Sequence, residues 1–302
     1  MQKKKLAEAR AFLADLAEKP PWLPYEPALL PMLFSATREG STSSFDDITA
    51  LVERSQKLAS RVLAIANSAM YAFESKVTTL NRAIHILGFR EVRTLVIMVG
   101  AVSAIKSVKL PKGFDLHELW RHHILTAIIA KSLTAYLLEE CKKGRIAPED
   151  ALQMDPDEAY VTGLLHDIGK VFLAAARPGI WESIVEIRRD TDIGFAEAED
   201  TYWGMDHALI GAQVLHYWKI PLLITDPINW HHAPYVAPTL RAETAMLAAA
   251  DNIANHSGSL EGDLPSEALL LLPNGIDTGR VAEVVKNALA KNDLRQICSL
   301  LE

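Results

Sequence analysis

Along this 302-residue chain apolar residues recur three and four positions apart, and nowhere do they alternate with polar ones over the length of a strand. An apolar stripe of helical period can be buried only against other elements that present a matching stripe, so the pattern confines the chain to helix-on-helix packing. Leu6, Ala9, Phe12, Leu13 and Leu16 form one stripe over residues 3–18, which Lys19-Pro20-Pro21-Trp22-Leu23-Pro24 ends by removing backbone donors. Leu29 to Ala36 reads as a short apolar helix, and Gly40-Ser41-Thr42-Ser43-Ser44 as a turn. A single helix is expected from Ile48 to Ser68, capped by Asp46 or Asp47 and closed by Asn67-Ser68-Ala69-Met70-Tyr71. Thr78 or Thr79 caps the next, which stops at Gly88, and Glu91 to Ser107 is a third strongly apolar helix.

Val108-Lys109-Leu110-Pro111-Lys112-Gly113-Phe114 breaks the pattern and divides the chain into an N-terminal helical bundle, 1–108, and a second helical domain, 109–302. The second opens with a long helix from Asp115 to Glu140. After a polar loop, Cys141 to Asp150, comes a helix carrying the pair His166-Asp167, then a further one to about Arg177. Amphipathic stretches follow at Pro178–Arg189, Gly194–Tyr202, His207–Trp218, Leu222–His232, Leu240–His256 and Val281–Lys291. The fold class expected is therefore all-α.

A net charge of -7 argues against a dedicated nucleic-acid binder. No run of eighteen apolar residues is present, and no apolar core follows Lys3-Lys4-Lys5, so neither a membrane span nor a secretory signal is expected. Cys141 and Cys298 match no metal or redox spacing and fit a reducing compartment. The expected setting is the cytoplasm; the oligomeric state stays open.

Leu165-His166-Asp167-Ile168-Gly169-Lys170 carries the chemistry. A nitrogen ligand beside an oxygen ligand suits a borderline divalent cation, and a lysine three residues on can neutralise a phosphate bound to it. His122 lies on the long helix with Glu118 four residues earlier on the same face, either an extra ligand or an acceptor that orients the ring. His207 opens its helix, His231 and His232 are adjacent beside a proline, and Asp251 interrupts an alanine run where a lone carboxylate is costly to bury. Singly, each has a plain reading: a hydrogen-bonded core histidine for His122, a surface turn for His231-His232, a helix start for His207, a solvated lysine for Lys170. His85, His117, His123, His216 and His256 are given structural roles.

Taken in order, His122, His166-Asp167, His207, His231-His232 and Asp251 resemble the ligand series of the HD phosphohydrolase superfamily. Leu58-Ala59-Ser60-Arg61-Val62-Leu63-Ala64-Ile65-Ala66-Asn67-Ser68-Ala69 and Thr79-Leu80-Asn81-Arg82-Ala83-Ile84-His85-Ile86-Leu87-Gly88 narrow the likeness. With Gly204-Met205-Asp206-His207-Ala208-Leu209-Ile210-Gly211-Ala212 and Trp218-Lys219-Ile220-Pro221, they resemble the HDOD family, the HD-related output domains of bacterial signalling proteins, over roughly residues 25–255. The resemblance implies an HD-type helical domain and a signalling or regulatory role.

The ligand series is also similar to that of the HD-GYP phosphodiesterases, which hydrolyse cyclic di-guanylate, but Ala233-Pro234-Tyr235 stands where those enzymes carry Gly-Tyr-Pro. It implies one or two divalent transition metals, and histidine with carboxylate suits iron, manganese, zinc or nickel. His122, His166, Asp167 and Asp251 would hold the first, with Asp167 bridging to a second held by His207, His231 and His232. Two functions are expected from this. One is a regulatory protein that senses a phosphate-containing ligand or a partner protein. The other is a metal-dependent phosphohydrolase or phosphodiesterase acting on a nucleotide, cyclic or linear, with Asp167 and Lys170 as catalytic groups.

Overall fold

The structure is a computed structural model, and it describes residues 2–19, 28–37, 41–67, 77–256 and 264–291. The expected breaks at Pro20, Pro21, Pro24 and Gly40, the closing stretch Ser68–Tyr71 and Cys298 lie outside them. Among the described residues every regular element is a helix: α1 (Gln2–Glu18), α2 (Leu29–Thr37), α3 (Phe45–Glu53), α4 (Gln56–Ala66), α5 (Leu80–Lys106), α6 (Leu116–Lys142), α7 (Pro156–Leu165), α8 (Ile168–Ala176), α9 (Pro178–Thr191), α10 (Phe195–Trp203), α11 (His207–Tyr217), α12 (Leu222–Trp230), α13 (Arg241–Asn255), α14 (Ser266–Leu269) and α15 (Thr278–Lys291), with 3-10 turns at Pro148–Asp150 and Pro234–Val236. Two compact units result, one of Met1–Pro20, Lys109–His216 and Leu222–Glu302, the other of Pro21–Val108 and Tyr217–Pro221.

In the second of these, the helix expected from Ile48 to Ser68 is two helices. Ser55 adopts an extended conformation between them and caps α4, its side chain accepting from the Leu58 amide. The start of α3 is capped by Ser44, with Asp47 completing a reciprocal capping box, so Asp47 is the third helical residue and not the cap itself. Thr79 caps α5, and Gly88 takes φ 78°, a left-handed value open to glycine, which kinks α5 at the expected stop. Asn67 fixes the end of α4: its amide donates to the Leu63 and Val77 carbonyls and its oxygen accepts from the Val77 amide. Leu33, Ile48, Val52, Leu58, Val62, Ile84 and Val92 are buried in the core of this unit.

The other unit is built around α6. Asp115 caps it by accepting from the Glu118 amide, and its apolar side buries Ile124, Ile129 and Leu133, each fully enclosed. With α13 and α15 it forms a core that includes Leu125, Leu137, Met246, Ile253, Val281 and Val285. Each such side chain contributes about 1.5–3 kcal/mol of burial. Its closest neighbour is α7, which has Pro156 in its first turn behind an Asp155–Glu158 capping box. A Cβ at Gly163 of α7 would lie 2.7 Å from the Ala127 Cα, so the two backbones meet with no side chain between them. The helix α1 belongs to this unit, with Phe12 stacked on Trp203 of α10.

That close packing sets up the site. His166 ends α7 and Asp167 precedes α8, so the His-Asp pair stands at a junction between two helices and not within one. Among the described residues no helix is long and apolar enough to cross a membrane.

Candidate metal centre

Three helices (α6, α11 and α13), the turn after α12 and the α7–α8 junction bring seven of the sequence candidates together. Their ligand atoms form two groups, His122, His166 and Asp251 in one and Asp167, His207, His231 and His232 in the other, with the atoms of each group within 4.8 Å of one another. In the first, His122 Nε2 lies 3.0 Å from Asp251 Oδ1 and 3.1 Å from His166 Nε2, and His166 Nε2 lies 3.4 Å from the same Asp251 oxygen. In the second, His207 Nε2 lies 2.7 Å from Asp167 Oδ1 and 2.9 Å from His232 Nε2, and His231 Nε2 is 3.7 Å from that Asp167 oxygen.

Asp167 faces both groups. Oδ1 is turned to His207 and His231, and Oδ2 lies 3.5 Å from His166 Nε2 and 3.7 Å from His122 Nε2. A single carboxylate therefore presents one oxygen to each set.

The far side of each ring settles the protonation. His166 Nδ1 lies 2.7 Å from the Gly163 carbonyl, His231 Nδ1 2.7 Å from the Ile228 carbonyl, and His207 Nδ1 2.6 Å from Glu199 Oε2. Those oxygens only accept, so each Nδ1 carries the hydrogen and donates it, and each Nε2 faces inward as the atom that takes a cation or a proton. His166 Nε2 faces His122 Nε2 at 3.1 Å and His207 Nε2 faces His232 Nε2 at 2.9 Å, and the buried Nε2 of His231 has no hydrogen-bond partner. Nitrogens so placed require a cation or a proton between them. Ligands about 2.1 Å from one cation stand about 3.0 Å apart at right angles and about 3.4 Å apart in a tetrahedron, and the five shorter separations here run from 2.7 to 3.4 Å. The residues fit a divalent metal.

Electrostatics agree. Burial pushes the Asp167 carboxyl up, but His166, Lys170 and His207 outweigh it and hold the group well below the usual carboxylate range. Burial acts the same way on Asp251, where bonds from His122 and His166 prevail and keep it ionised. Burial lowers His207, yet the Glu199 carboxylate reverses this and the ring is pushed up to about 10, so a proton on Nε2 facing Asp167 takes the place that a cation would otherwise fill. Two enclosed carboxylates that stay charged need compensating positive charge.

Lys170 and Glu118 behave differently from the rest. Lys170 Nζ lies 2.5 Å from Asp167 Oδ2 and 5.3 Å from the centre of the Phe195 ring, so its charge is already engaged at the site. Glu118 joins neither group. Its exposed carboxylate takes two bonds from Arg121, at 2.8 and 3.0 Å, because both occupy the first turns of α6 and that pairing leaves the oxygens in solvent. Glu118→Gln is expected to leave metal content unchanged and to shift stability by no more than about 0.5 kcal/mol, checked by elemental analysis and thermal melting.

Glu199 is the residue of this candidate centre that sequence reasoning missed. It is fully buried on α10, and Oε2 also accepts from the His207 amide at 2.8 Å. It thus sets both the tautomer and the direction of His207. A signal was present: Glu199 stands four residues before Trp203, on the face that buries that indole. Glu199→Gln is expected to weaken metal binding by about 10- to 100-fold with the fold retained, measured by competition with a chromophoric chelator.

A cleft of about 560 Å³ opens beside these groups, reaching His231, His232 and Asp251. Comparisons with known proteins follow the same lines. A phosphohydrolase candidate from Shewanella amazonensis SB2B has a solved structure that matches with TM-score 0.72 at 25% identity, covering 96% of this chain and 98% of that one. An HDOD domain protein with unknown function from Geobacter sulfurreducens matches with TM-score 0.69 at 25% identity, covering 99% and 96%. An uncharacterized protein of Treponema pallidum (strain Nichols) is 25% identical over 219 residues, 72% of this chain; the chain spans only 39% of that curated relative's length. The HDOD domain model matches residues 23–234, and the chain belongs to the HDOD domain family.

Proposed function

We propose that this chain is a regulatory HDOD protein that holds divalent metal at the shared Asp167 site and binds a phosphate-containing ligand there. The observation that carries the reading is the paired arrangement of ligand atoms around one carboxylate, with His166, His207 and His231 each turned Nε2-inward by a bond on the far side of the ring. When bound, the metals supply Lewis acidity toward a phosphoryl oxygen. His122, His166 and Asp251 would hold one ion, His207, His231 and His232 the other, and Asp167 both. Iron, manganese, zinc or nickel suits this mixture of imidazole and carboxylate. Glu199 orients His207, and Lys170 offsets phosphate charge next to Asp167. The helices α2–α5 would form the partner-facing part, and the cytoplasm, consistent with the sparse cysteines, would be the setting.

A second reading, a metal-dependent phosphohydrolase, is favoured by one observation: the cleft gives an outside molecule access to ligand atoms of both groups. The two part on turnover. The metal-loaded protein would be offered cyclic dinucleotides, nucleotides and bis(p-nitrophenyl) phosphate, with binding and phosphate release followed together. Metal-dependent binding without release supports the regulatory role. Release that disappears in Asp167→Ala supports the enzyme, and neither binding nor release would refute both.

A further inference from the structure

The outer half of the cleft has no part in holding metal, and its chemistry is unlike that of the floor. At about 560 Å³ the space is larger than a phosphate ion needs and suits a molecule of nucleoside size. Its outer wall carries Tyr235 and Leu270, which are 75% and 77% exposed. An aromatic ring and an aliphatic chain held in water beside a polar floor are costly surfaces that a flat apolar body would cover.

Charge narrows the occupant further. Among the described residues no lysine or arginine lines the cleft, and Glu267 contributes an exposed carboxylate to it. Cations at the floor would neutralise one phosphate, but the remaining charges of a polyphosphate would extend toward Glu267 without a positive partner. A hydrogen-bond donor on the ligand's ring would instead be welcome there.

We propose that this cleft takes an ester of a single phosphate with a planar, hydrogen-bond-donating ring, the chemistry of a nucleoside monophosphate unit, with the ring against Tyr235 and Leu270. The phosphate lies toward His231, His232 and Asp251, a part of the proposal that rests on the metal-site reading above. Tyr235 lies in the 3-10 turn Pro234–Val236 just after the paired histidines, so only Ala233 and Pro234 separate the stacking surface from the second ligand group.

The test compares adenosine and guanosine 5′-monophosphates with ribose 5-phosphate and adenosine triphosphate, by calorimetry on the full metal-loaded chain. The monophosphates are expected to bind about tenfold tighter than ribose 5-phosphate, as one base–aromatic stack allows, and tighter than the triphosphate. Tyr235→Ala, an exposed position whose replacement leaves the core intact, is expected to bring the nucleotides down to the level of ribose 5-phosphate. Protein that takes up metal and binds all four probes equally, or whose preference survives Tyr235→Ala, overturns the ring site and leaves the metal reading standing; a partner protein would then be the occupant of that wall. Protein that takes up no metal overturns both.

Discussion

Asp167→Ala is expected to strip metal from both halves of the site at once. With Oδ1 2.7 Å from His207 Nε2 and Oδ2 3.5 Å from His166 Nε2, this carboxylate is the only anionic ligand of its own group and the neighbour of the other. Its loss leaves His207, His231 and His232 as three neutral imidazoles. Affinity should fall by at least about 100-fold, the upper end of what outer contacts alone are worth. The substitution also leaves the Lys170 ammonium, 19% exposed, without the partner that holds it 2.5 Å away. Breaking an enclosed pair costs about 3–5 kcal/mol, so the metal-free variant should melt below the metal-free wild type. Asp167→Asn should lose the metal while keeping more of the packing. Equilibrium dialysis against buffered manganese, with melting curves of the metal-free forms, checks both parts; a variant that retains the wild-type metal content would contradict the shared-carboxylate arrangement.

Gly169→Ala should be nearly as damaging without touching a ligand. A Cβ there would fall on the His207 carbonyl oxygen, 2.7 Å from the Gly211 nitrogen and 2.9 Å from the His207 carbonyl carbon. All three are backbone atoms, so no side chain can move aside and α8 must back away from α11. Overpacking of this kind costs about 1–3 kcal/mol or more. Because Asp167 begins α8 and His207 begins α11, the displacement also pulls Asp167 from His207. Stability in urea and metal uptake should therefore fall together. Gly179→Ala is the matched control: no atom lies within 4 Å of its Cβ, φ is not left-handed, and a gain of about 0.4–1 kcal/mol is expected. Equal, small effects at both positions would mean that the close approach of α8 and α11 has been misread.

What the sequence revealed and what it hid follow from physical range. The helical stripes were readable because periodicity and capping are local: Thr79 and Asp115 cap where the pattern says they should. Ser55 was missed because Leu51, Leu58, Val62 and Ala66 fall within one arc of a continuous helix, so apolar periodicity alone runs straight through the break. The candidate ligands stood out as residue types in unusual company, an aspartate in an alanine run and paired histidines beside a proline. Glu118 was given the same face as His122, correctly for a helix, yet a shared face does not decide which neighbour a flexible glutamate meets, and Arg121 is nearer. Glu199 was hidden among Glu197 and Asp200, three acids in one short helix, and only the packing of Trp203 tells which one points inward.

The central claim is that these residues hold metal, and the metal content of the purified protein tests it most directly. Elemental analysis after anaerobic reconstitution with iron or manganese and gel filtration should find about one to two equivalents per chain, falling to near zero in Asp167→Ala and unaltered in Glu118→Gln. A folded wild-type protein that carries no transition metal after that treatment would contradict the account.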